Sequence, residues 1–188
     1  MSTSPNRRET FADEALDAPA RRLLDVLLAQ DGSTTRVCEA IAGGRISLHV
    51  ARQGVTADVP APVRRALPCA QYLERYSTLA AHGQVLMDNL TFIALDGLDP
   101  AVHAGLEAGT APIGHLLESL WTRRQRLPRA DLDVLGPLLW NEFGLPDPVA
   151  SRAYLINTPE GPRFLIAETY RRGMRMIAAP GHAARSAA

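Results

Sequence analysis

The chain has 188 residues, 46% of them hydrophobic, with 20 basic and 20 acidic side chains that balance to a net charge of zero. That is chain enough for one domain with a real core, and the charge balance argues against nucleic acid as a partner. All 20 basic residues are arginine, which excludes a Schiff-base lysine and the phosphate lysine of a Walker loop.

In chain order, residues 1–17 are polar and are expected as a flexible N-terminal tail, followed by one domain over 18–176 and a second flexible tail over 177–188. Ala18 to Gln30 carries Leu23, Leu24, Val26, Leu27 and Leu28 as a helical apolar stripe that stops at Asp31-Gly32. Ser33 or Thr34 caps a short helix through Val37 and Ile41. After Gly43-Gly44, Ile46, Leu48 and Val50 alternate with Ser47, His49 and Ala51 as a half-buried strand. Tyr72 to Ala80 is a second strand, and His82-Gly83 turns it into a third, Val85 to Leu95.

Asp99-Pro100 opens a helix over Ala101 to Ala108. Pro112 opens another that carries Ile113, Leu116, Leu117, Leu120 and Trp121 on one side. Arg123 to Arg129 is expected as a solvated loop, and a glycine and a proline limit any helix between Leu132 and Phe143. A final hairpin runs from Ala150 to Asn157 and from Arg163 to Tyr170. Strands joined by short turns, with helices between hairpins, predict an α+β fold on an antiparallel sheet.

Cys38 and Cys69 stand far apart, and the five histidines never take a metal-gripping spacing. No metal or cofactor is expected, and two free thiols suit a reducing cytoplasm. No secretory signal is legible, nor any run of about 18 apolar residues that would cross a membrane. The expected location is cytoplasmic.

Two charged residues fall where charge is costly. Phe164, Ile166, Glu168 and Tyr170 share one strand face, and Arg75 lies between Leu73 and Ser77-Leu79 on another. A buried ion must find a partner. The two can pair with each other or with backbone, one of the faces can be the solvated one, or both can flank a pocket for a small anion. Arginine's planar fork suits a carboxylate. Gly32-Ser33-Thr34-Thr35 and Ala111-Pro112-Ile113-Gly114 each lead a turn into a helix, where free N–H groups favour anions.

Taken in order, several segments resemble the chorismate pyruvate-lyase family, and its actinobacterial branch above all. They are Leu23 to Thr35 with Arg36, Tyr72-Leu73-Glu74-Arg75-Tyr76, Ala94-Leu95-Asp96-Gly97-Leu98, Pro112-Ile113-Gly114, and Arg152-Ala153-Tyr154 with Ala167-Glu168-Thr169-Tyr170. The resemblance spans roughly residues 20 to 172. It implies helices closing over a buried single-ligand pocket and a cofactor-independent lyase that converts chorismate to 4-hydroxybenzoate and pyruvate, for primary or secondary metabolism.

By that resemblance the catalytic positions are Glu168, as general acid/base, and Arg75, which also anchors the ligand carboxylate. Ser33 and Ile113 supply backbone N–H groups, with Gly114 and Asn89 beside them in substrate binding. One departure stands out. The second arginine that some relatives carry on the next strand has no counterpart, since Asp88 and Asn89 stand there. Arg152, counted back from the hairpin turn, is expected on the face opposite Glu168. The alternatives are an enzyme of the same fold acting on another carboxylated ring, and a non-catalytic small-ligand module like those of some bacterial regulators. The partner expected is a small molecule, with the chain a monomer or weak homo-oligomer.

Overall fold

The computed structural model describes residues 8–12 and 16–178. α1 (Ala18–Ala29) begins where the Asp17 carboxylate accepts from the Ala20 N–H, an N-cap with proline in the first turn. α2 (Thr34–Ala42) is capped by the Ser33 hydroxyl, which accepts from the Arg36 N–H, and ends at Gly43 in the left-handed conformation. β1 (Ser47–Thr56) and the short α3 (Ala61–Ala66) lead to a hairpin of β2 (Tyr72–Ala81) and β3 (Gln84–Ala94). His82 and Gly83, both at positive φ, make its two-residue turn, a geometry whose twist matches the strands. α4 (Pro100–Ala108) is capped by Asp99 and followed by the single turn α5 (Ile113–Leu116). Then come β4 (Arg123–Arg126), α6 (Arg129–Phe143), the hairpin β5 (Ser151–Thr158) and β6 (Gly161–Tyr170), and α7 (Arg172–Ala178).

The six strands form one sheet in the order β1-β2-β3-β6-β5-β4, antiparallel at every step. The fold is α+β, as the alternation of hairpins and helices implied. One face of the sheet buries Tyr72, Tyr76, Leu90, Phe92 and Leu165 against α3 and Leu132, Leu135 and Leu139 of α6. The other face carries two apolar patches. Leu79, Met87 and Tyr170 meet Leu24 and Leu27 of α1 and Cys38 of α2. Leu73, Ile93, Phe164 and Ile166 meet Val102 and Leu106 of α4 and Leu117. Polar side chains fill the interval between the two patches, and the candidate site lies there.

Several expectations need correction. The segment read as a solvated loop contains β4, which pairs with β5 at the sheet edge; its arginines suit an edge, where charge discourages a further strand from pairing. Gly136 and Pro137 do not interrupt α6. Gly136 lies under the Trp140 ring, where a Cβ would come within 2.8 Å, and Pro137 and Asp133 are both exposed. The carbonyl that the proline leaves unbonded therefore faces water rather than the core. The helix expected after Pro112 is one turn only, and Trp121 is 66% exposed rather than part of an apolar stripe. α3 had no counterpart in the sequence reading.

Within the stretch expected as an N-terminal tail, residues 8–12 pack on the domain. Phe11 is wholly buried, Thr10 bridges Arg171, and Arg8 donates to Asp88. Asp88 also accepts from Arg171 at 2.6 Å and from Thr78 at 2.7 Å, so one buried carboxylate ties both chain ends to the α6 side of the sheet. At the other end α7 continues past the expected boundary of 176 to Ala178. Residues 1–7, 13–15 and 179–188, the remainder of the expected tails, lie outside the described residues. No helix of the described residues is long and apolar enough to cross a membrane.

Candidate functional site

Strand register settles which side chains can meet. Arg75 lies opposite Thr91, and Glu168 opposite Asn89. Residues directly opposite share a face, as do Asn89 and Thr91 two apart on one strand. Arg75, Asn89, Thr91 and Glu168 therefore point the same way, and all four line one cavity. About 470 Å³ of atom-free space lies between these walls, open solvent at the mouth included. Thr34 and Thr35 of α2, Ile113 and Gly114 of α5, and Arg124 and Tyr154 complete much of its wall.

Arg75 is fully buried, and among the described residues Nε, Nη1 and Nη2 all lack a hydrogen-bond partner. Burial lowers its pKa from the usual arginine value, because the charged form loses its water without gaining a counter-ion. No such group persists in a core for stability alone. Its fork of N–H donors, walled in and facing an empty space, is suited to a carboxylate supplied from outside.

Glu168 is the opposite case. Its Oε1 accepts from Arg152 Nε at 2.6 Å, from the Tyr170 hydroxyl at 2.8 Å and from the Thr34 hydroxyl at 3.3 Å; its Oε2 accepts from the Tyr154 hydroxyl at 3.0 Å. The carboxylate is thus nearly saturated. The partner is Arg152, not Arg75, so the two charged residues flagged from the sequence do not pair with each other.

Arg152 also lies on the same face as Glu168, contrary to the count from the turn. The cause is a bulge: Asn157 pairs with Pro162, but Ile156 pairs with Phe164. Arg163 is the extra residue, and every pair beyond it moves by one, so that Arg152 faces Glu168 instead of Ala167.

Arg152 donates further to the Gln30 and Leu28 carbonyls at the end of α1 and to the Thr34 hydroxyl, which fixes where α2 begins. Burial alone would lower its pKa, but Glu168 and the nearby tyrosines outweigh that and raise it. Burial first, then the Glu168 charge, pushes the phenols of Tyr154 and Tyr170 well above the ordinary tyrosine value. The Cys38 thiol behind them is raised for the same two reasons, which leaves it an unreactive thiol.

The remaining expected residues fall in different places. Ile113, Gly114 and Asn89 line the cavity, whereas Ser33 caps α2 and its neighbours Thr34 and Thr35 supply the wall. α2 and α5 meet over the opening. A Cβ on Gly114 would collide with the Thr35 side chain and the Ser33 hydroxyl, so only glycine lets the two turns approach so closely. Outside that contact, Glu39 meets His115 at 3.1 Å and Arg36 meets Glu118.

Tyr154 and Arg124 were missed as site residues from the sequence, and Thr34 was seen only as part of the turn that leads into α2. The alternation that flagged Arg152 also carries Tyr154, but the unseen bulge placed both on the wrong face. Among the described residues no group of three His, Cys, Asp or Glu side chains gathers as a metal site.

No family model matches the sequence, and no curated protein matches it. Several solved structures are similar. One is the C-terminal domain of the histidine utilization repressor from Pseudomonas syringae, at 12% identity and a TM-score of 0.43 over 68% of this chain and 92% of that one. Another is the ligand-binding domain of a proposed GntR-family transcriptional regulator from Bordetella bronchiseptica, at 17% identity and a TM-score of 0.42 over 68% and 84%. A third is the SA0254 gene product of Staphylococcus aureus, at 12% identity and a TM-score of 0.42 over 69% and 86%. At this level of likeness, what those proteins bind does not transfer to this pocket.

Proposed function

We propose that the protein takes one small carboxylate-bearing ring into the cavity between α2, α5 and the sheet, with Arg75 gripping the carboxylate. The observation that carries this is the enclosed guanidinium of Arg75, whose three nitrogens have no hydrogen-bond partner among the described residues. Asn89, Thr91 and the Thr34-Thr35 hydroxyls offer neutral polar contacts, while Ile113, Ile156 and Ile166 offer apolar ones for a ring.

A second reading is favoured by Glu168 and Tyr154, which line the same cavity. It makes the protein a cofactor-independent lyase that converts chorismate to 4-hydroxybenzoate and pyruvate, the activity implied by the sequence resemblance. In that reaction a proton leaves the ring carbon bearing the hydroxyl, the carbon–oxygen bond to the enolpyruvyl group breaks, and the released enol takes up a proton as pyruvate. Arg75 would hold the ring carboxylate while Glu168 serves as general acid/base beside the ring hydroxyl. Such a group contributes about a hundred- to ten-thousand-fold, and orientation in the closed site supplies much of the rest.

One experiment separates the readings. Binding of 4-hydroxybenzoate is measured by calorimetry, and pyruvate release from chorismate is followed with wild type, Arg75→Gln and Glu168→Gln. Binding with turnover supports the lyase, with Arg75→Gln losing both and Glu168→Gln losing chiefly turnover. Binding without turnover supports a ligand-binding module. If wild type neither binds nor turns over, both readings fail.

A further inference from the structure

Four interstrand steps, across β3, β6 and β5, separate the two ends of the cavity, and each end carries an arginine. Arg75 enters from β2 and Arg124 from the edge strand β4, opposite Ile156. The Arg124 Nε is enclosed and has no hydrogen-bond partner. Its other contacts among the described residues are weak: Nη1 reaches the Asp31 carbonyl at 3.5 Å, and the guanidinium lies 5.9 Å from the centre of the Tyr154 ring. The same side chain also lines a small neighbouring recess with Gln30, Arg126 and Arg152.

Charge accounting along the wall gives the argument. Arg152 is neutralised by Glu168 at 2.6 Å. Arg75 and Arg124 have no carboxylate partner among the described residues. Two guanidinium groups whose charge nothing offsets, at opposite ends of one cavity, are matched by a ligand with two anionic groups. For the buried Arg75 a cation without a counter-ion is costly, and a bound anion removes that cost; Arg124 is half-buried, and an anion on its cavity side satisfies the enclosed Nε. Arg75 and Arg124 stand on strands β2 and β4, roughly 19 Å apart across the sheet at the usual interstrand spacing. They reach the cavity from opposite ends and so meet different groups on its occupant.

We propose that Arg124 is a specificity-determining residue that receives a second anionic group of the ligand, on the Tyr154 side of the cavity. This deepens the ring-carboxylate reading and rests on it.

The test compares calorimetric binding of 4-hydroxybenzoate, with one carboxylate, and 4-(carboxymethoxy)benzoate, with two, to wild type, Arg124→Gln, Arg124→Lys and Arg75→Gln. Wild type is expected to prefer the diacid at least ten-fold. Arg124→Gln should bring that ratio close to one, and Arg124→Lys should keep part of it. Binding of both acids to wild type without a preference, or a preference that survives in Arg124→Gln, overturns the role of Arg124 while leaving the pocket reading intact. Failure of wild type to bind either acid, or undiminished binding to Arg75→Gln, overturns the pocket reading itself and this inference with it.

Discussion

Arg75 on β2 lines the cavity and Arg152 on β5 lines the small recess beside it, and both are cut off from solvent. Arg152 is held by a carboxylate, two backbone carbonyls and a hydroxyl, whereas Arg75 has no hydrogen-bond partner among the described residues. Their replacement by methionine, which keeps the long apolar stem, should therefore act on stability in opposite directions. Arg152→Met leaves Glu168 buried without its cation and should cost about 3–5 kcal/mol. Arg75→Met removes an uncompensated buried charge and should be neutral or stabilising, by up to about 3 kcal/mol, while ligand binding is lost. Urea denaturation of the two variants beside wild type checks both signs; a large destabilisation by Arg75→Met would mean that the guanidinium holds the fold together. The sequence showed Arg75 and Glu168 as charges in apolar alternation and placed Arg152 on the opposite face, so the pairing of Arg152 with Glu168 was not legible. Pairing depends on strand register, and register depended on the one extra residue, Arg163.

At the scale of elements, the legible parts were those with local signals. α1, α2 and α4 have side-chain caps, and the β2–β3 hairpin has its two-residue turn. The illegible parts owe their form to neighbours. β4 carries a charged stretch that reads as loop until β5 lies beside it. α6 tolerates Gly136 and Pro137 because packing, not propensity, decides there. Gly136 makes this testable. Alanine ordinarily favours a helix over glycine by about 1 kcal/mol, yet here the added methyl would push the Trp140 ring from its place. That ring donates to the Thr169 hydroxyl at 3.0 Å. Gly136→Ala is thus expected to destabilise by about 1–3 kcal/mol, the usual cost of overpacking, with a change in tryptophan fluorescence. A more stable variant with unchanged fluorescence would show that the ring shifts freely.

For the whole molecule, the absence of lysine opens an unusually clean view of stability at high pH. Lysines would titrate near pH 10.4 and arginines stay charged beyond 12, so between these values the tyrosines, with the buried Cys38 thiol, dominate the titration. Tyr76 is raised to about 12 by burial and the adjacent Glu74 carboxylate, and Tyr154 and Tyr170 are pushed up by burial and Glu168. These phenols sit on both faces of the sheet, Tyr76 against α6, Tyr154 at the cavity and Tyr170 beside it in the patch under α1 and α2. In the unfolded chain they ionise near pH 10; in the folded one they keep their protons. Above pH 10 the unfolded state therefore binds fewer protons, and stability falls with rising pH. The contribution is complete below pH 10 and is lost progressively from there through pH 12. Tyrosinate absorbance at 295 nm and far-ultraviolet circular dichroism, followed together over that range, should change in one cooperative step for these residues. Tyr154→Phe should blunt the alkaline loss, since a ring without a hydroxyl has no proton to give up. Full phenol ionisation with the dichroism still native would mean that solvent reaches the cavity wall without unfolding, and the enclosed site on which ligand capture by Arg75 depends would not exist.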